Sequence, residues 1–80
     1  MITPEQIKNW IEAGLLNSTV QVEGDGHHFE AIVVCPAFEN KAKVHRHRMV
    51  YAALGAKMQS EIHALSLQTL IPQENPKPAR

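Results

Sequence analysis

Cysteine is nearly absent from this sequence, and so is any excess of charge. The lone cysteine, Cys35, excludes an internal disulfide framework, and it excludes a zinc or iron–sulfur site built only from the cysteines of one chain. No apolar run approaches the roughly 18 residues of a membrane-spanning helix. The first residues, Met1-Ile2-Thr3-Pro4-Glu5-Gln6, lack the basic start and apolar stretch of a secretory leader, so a cytoplasmic location is expected. Eighty residues leave no room for a large scaffold around a deep cleft, and no enzyme is expected. A chain of this size buries roughly 60–65% of its unfolded surface around one modest core. With 44% apolar and 20% charged residues it reads as a folded domain rather than a disordered one.

The elements follow from periodicity. Thr3-Pro4-Glu5-Gln6 is a helix start, with Thr3 as cap, Pro4 in the first turn and Gln6 placed for a capping box. Ile7, Trp10, Ile11 and Leu15 then recur at helical spacing, and Gly14 and Asn17 are both stop signals. From Thr19 the period becomes two, with Val20 and Val22 on one face of a strand. Gly24-Asp25-Gly26 supplies a tight reversal, and His28 to Val34 pairs back as a hairpin that Pro36 ends. Residues 36–43 read as loop, with Asn40 as the turn residue. Val44, His47, Val50, Tyr51, Leu54 and Met58 predict one amphipathic helix from Val44 to Ser60, with Gly55 inside it, where a close packing contact is expected. Ile62 to Leu70 alternates again as a third strand. Residues 73–80 are expected to form a flexible proline-rich tail after a single domain over residues 1–72.

A helix between the second and third strands makes those strands parallel, whereas the hairpin is antiparallel. The expected fold is therefore an α+β two-layer sandwich with a three-stranded mixed sheet.

Charge is segregated under the neutral total. Residues 19–39 carry Glu23, Asp25, Glu30 and Glu39 without a Lys or Arg, and residues 41–48 carry Lys41, Lys43, Arg46 and Arg48 without an acid. Such a basic helix start is either a solvated surface or a grip for phosphates. No aromatic residue is interleaved with it, so the run by itself is weak evidence for nucleic-acid binding. The five histidines show no His-x-x-His or His-x-x-x-His spacing, so no local zinc site is legible. His47 lies on the apolar face and is expected to be packed and hydrogen-bonded. His45 is expected at the surface. His63 shares strand parity with Leu65 and Leu67, and pattern alone leaves a core-edge residue and a functional one equally open. Cys35, in an apolar strand before Pro36, reads as a small buried hydrophobe with an inert thiol.

Four segments together carry a resemblance. Val22-Glu23-Gly24-Asp25-Gly26-His27-His28-Phe29, then Phe38-Glu39, then Arg46-His47-Arg48-Met49-Val50-Tyr51-Ala52, then Ile62-His63-Ala64-Leu65-Ser66-Leu67 closely resemble the BolA-like family. The Gly-Asp-Gly-x-His-Phe loop is most similar to its short bacterial IbaG-type branch. The resemblance spans about residues 5–72 and implies an α-β-β-α-β fold similar to class II KH domains, which agrees with the order read from periodicity.

It also implies two roles. One is an adaptor for a monothiol glutaredoxin, with a [2Fe–2S] cluster bridging the pair. The glutaredoxin cysteine and glutathione hold one side, and side chains of the BolA-like protein hold the other. The second is DNA binding in transcription and stress regulation, for which Lys41, Lys43, Arg46 and Arg48 are the candidate contacts. The ligand positions of the family match His63 and His28. Where some members carry a cysteine in the loop, this sequence has Asp25, and Cys35 matches no ligand position. A histidine in place of a thiolate supplies a neutral nitrogen, raises the cluster potential and leaves more readily when protonated. The isolated chain is expected to be a monomer or weak homodimer without cofactor. Two features depart from the pattern: no aromatic-containing helix follows Pro72, and no Gly-x-x-Gly phosphate loop is present.

Overall fold

The computed structural model describes residues 2–62 and 64–74. Helix α1 (Pro4–Gly14) is followed by strands β1 (Thr19–Gly24) and β2 (His28–Val34), a 3-10 turn (Pro36–Phe38), helices α2 (Lys43–Leu54) and α3 (Lys57–Ser60), strand β3 (Ala64–Leu70) and a second 3-10 turn (Pro72–Glu74). The sheet order is β1-β2-β3, antiparallel between β1 and β2 and parallel between β2 and β3. The mixed α+β sandwich expected from the sequence is the one observed. No helix among the described residues is long and apolar enough to cross a membrane.

The start of α1 is set locally. The Gln6 backbone N–H donates to Thr3 Oγ1 at 3.2 Å, and the Thr3 N–H donates to Gln6 Oε1 at 2.9 Å, which closes the capping box. Ile7 and Ile11 are then wholly buried against Val20, Phe29, Ala31 and Val33 of the sheet and Val50 and Leu54 of α2. Register brings Val20 opposite Val33, Val22 opposite Ala31, and Phe29 and Ala31 opposite Leu65 and Leu67. One sheet face thus meets the helices, and the other carries Gln21, Glu23, His28, Glu30, Ser66 and Gln68, all exposed. Gly14 makes the helix crossing possible, because a Cβ there would stand 2.6 Å from the Ala53 Cβ.

The expected helix over 44–60 is instead two. Gly55 adopts φ 59° and ψ −138° after its N–H caps Tyr51 O, and α3 starts afresh at Lys57. The positive φ is its reason for being glycine; nothing lies within 4 Å of where its Cβ would be, so the packing contact expected at Gly55 belongs to Gly14. The buried face of α2 is also narrower than the spacing implied. Val50 and Leu54 are buried, whereas Val44 is 59% and Tyr51 38% exposed. Within the loop before α2, Phe38 is wholly buried, and Asn40 turns the chain with φ 65°. Residues 72–74 form the second 3-10 turn, where the Glu74 carboxylate accepts two hydrogen bonds described below; residues 75–80 of the expected tail lie outside the described residues.

Candidate functional site

The β1–β2 turn is held by one side chain. Asp25 Oδ1 accepts the backbone N–H groups of His27 at 2.9 Å and His28 at 3.0 Å, while the Asp25 N–H donates to His28 O at 3.2 Å. Gly26, with φ 102°, lets the chain turn inside this ring. The N–H donated by His28, and then that of His27, hold the Asp25 carboxyl below its ordinary range. The contacts of this carboxylate are those of a turn brace.

The brace delivers His28 to the first position of β2, exposed and on the sheet face that no helix among the described residues covers. In the parallel ladder His28 pairs with Ala64, the residue that follows His63 in the chain. His63 itself lies outside the described residues. Among the described residues no three His, Cys, Asp or Glu side chains are grouped to hold a metal ion. Cys35 is wholly buried, with Sγ 3.7 Å from Leu16 O, in keeping with a packing role. His45 is exposed, and His47 is half-buried. The hydrogen bond expected at His47 is missing at one nitrogen: its Nε2 is buried without a partner among the described residues.

The four basic candidates separate into different environments. Arg46 is largely buried. Its Nε donates to Lys41 O at 2.9 Å, and its Nη1 donates to Thr69 O at 3.1 Å and to Glu74 Oε1 at 3.3 Å. The guanidinium also sits 5.9 Å from the centroid of the Phe38 ring. Arg46 is therefore a structural tie between α2, β3 and the segment after it, which its place in a basic run did not reveal. Lys41, Lys43, Arg46 and Glu74 line one groove of about 610 Å³ beside residues 67–70 of β3. Arg48 is exposed and does not line it.

The family model described as "BolA-like protein" matches residues 11–74. The chain belongs to the BolA-like family. Protein BOLA2 of Arabidopsis thaliana is 42% identical over 72 residues, covering 85% of this chain and 76% of that protein. The "DNA-binding transcriptional regulator BolA" of Haemophilus influenzae is 37% identical over 51 residues, covering 64% of this chain. The chain spans about half the length of that regulator and 42% of the bovine BolA-like protein 1. A solved bolA protein homologue from Coxiella burnetii shares 58% identity and superposes with a TM-score of 0.90, over 96% of this chain and 100% of that one. The BolA-like fold here is thus the family's own.

Proposed function

We propose that this BolA-like protein is an adaptor that joins a monothiol glutaredoxin and completes the ligand set of a bridging [2Fe–2S] cluster through His63 and His28. The observation that supports this reading is the ladder register of His28 with Ala64, since it draws the braced loop to the strand that begins just after His63. Histidine suits the task, being neutral as a ligand and displaceable by a proton near neutral pH. Two histidines make only a partial ligand set, and of the two His28 alone lies among the described residues, so thiolates must come from the partner and from glutathione. The cluster is cargo shared between the two proteins and supplies one-electron and iron–sulfur transfer chemistry.

The test is anaerobic reconstitution with a monothiol glutaredoxin and glutathione, followed by visible circular dichroism. A heterodimer spectrum distinct from that of the glutaredoxin alone, lost in His63→Ala and weakened in His28→Ala, is expected. A spectrum unchanged by adding this protein would end the reading.

A second reading is DNA binding. It is supported by the name of the Haemophilus influenzae relative and by the electropositive start of α2, where Ala42 gives no side-chain cap and Lys43 and Arg48 are exposed. It predicts an affinity for duplex DNA that falls steeply with salt, and a Lys43→Glu/Arg48→Glu variant that loses it.

A further inference from the structure

Strand β3 is an edge strand, and its outward main-chain groups are met in an unusual way. The Cys35 N–H donates to Leu70 O at 2.9 Å, so Leu70 faces β2, and by alternation its neighbours Thr69 and Ile71 face away from the sheet. One outward group of each residue is satisfied by a side chain, and the Ile71 carbonyl accepts the Glu74 backbone N–H at 2.8 Å. Arg46 Nη1 donates to Thr69 O at 3.1 Å, Glu74 Oε1 accepts the Ile71 N–H at 3.0 Å, and the two side chains touch at 3.3 Å. One donor and one acceptor, joined to each other and spaced to meet main-chain groups two residues apart, reproduce what the next strand of a sheet would offer. Toward the start of β3 the outward groups of Leu65 and Leu67 have no side-chain partner among the described residues.

We propose that the free edge of β3, beside Lys41 and Lys43, is a strand-addition site for an extended acidic segment of a partner protein, with Glu74 as its intramolecular placeholder. Charge complementarity sets the occupant: the groove along residues 67–70 is lined by Lys41, Lys43 and Arg46, and Glu74 is the one acid lining it among the described residues. Neither lysine makes an ion pair among the described residues. The groove already holds a carboxylate, which fixes the kind of group it accepts. A peptide fits better than a single-stranded nucleic acid, because no aromatic side chain among the described residues lines the groove to stack a base. The site lies at the far end of β3 from Ala64 and His28, so it is independent of the cluster reading and fails or holds separately.

The experiment titrates the ¹⁵N-labelled chain with a synthetic eight-residue peptide alternating valine and glutamate. The same titration is made with Glu74→Gln, which keeps an acceptor for Ile71 but removes the competing charge. The expected result is chemical-shift change centred on the Leu67, Thr69 and Ile71 amides, slowed exchange there, and roughly fivefold tighter binding to Glu74→Gln. N-methylation of alternate peptide amides should abolish it. Folded spectra of both proteins with no shift at these amides would overturn the proposal. So would equal binding of the N-methylated peptide, which would leave charge attraction without strand pairing, or stronger shifts of the same amides by an eight-nucleotide oligo-dT.

Discussion

Asp25 and Arg46 both do something different from what their charge suggests. Asp25 sits in an acidic stretch but acts as the acceptor that orders a turn, and Arg46 sits in a basic stretch but ties together two elements and the segment after β3. The depressed Asp25 pKa gives the sign of its pH dependence. A carboxylate whose folded pKa lies below its ordinary value of 3.8 stabilises the fold above that value and loses the contribution as pH falls through the folded pKa. The urea midpoint of wild type should therefore exceed that of Asp25→Asn at neutral pH, with the gap closing in acid. A gap that stays constant through the carboxylate range would show that the charge is not what braces the loop. These roles were not legible in the sequence, because a charge run says nothing about which carbonyls or N–H groups lie within reach.

At the scale of elements, the capped first helix, the glycine-turned hairpin and the alternating third strand were legible, since each follows from a local period or a short signal. Gly55 was not. A glycine inside an apolar helical pattern looks the same whether it continues the helix or ends it, and only the backbone, at φ 59°, decides. Gly55→Ala separates the two cases by sign. In a continuous helix it would stabilise by about 1 kcal/mol, whereas in the observed conformation it should destabilise by about 1–3 kcal/mol. Thermal unfolding of the variant settles which holds. After β3, the ion pair of Glu74 with Arg46 joins the chain to a helix far back in the sequence, a contact that no local period could show.

Across the whole molecule, the charge segregation seen along the sequence becomes a segregation in space. Glu23 and Glu30 stand directly opposite each other across β1 and β2 on the open sheet face, next to the Asp25 turn, while the lysines flank the other end of β3. Like charges so paired oppose sheet stability, and they leave the histidine end of the sheet acidic and the groove end basic. The candidate ligand pair was legible only through resemblance. Sequence spacing between His28 and His63 carries no geometric information, and it is the parallel ladder that brings His28 beside the first residue of β3. The central claim is that a histidine of this chain ligates an iron of the shared cluster. Pulsed electron paramagnetic resonance of the reduced heterodimer, with this protein labelled by ¹⁵N-histidine, tests it most directly. The account predicts strong nitrogen couplings that disappear in His63→Ala; a signal without them, indistinguishable from an all-thiolate cluster, would contradict it.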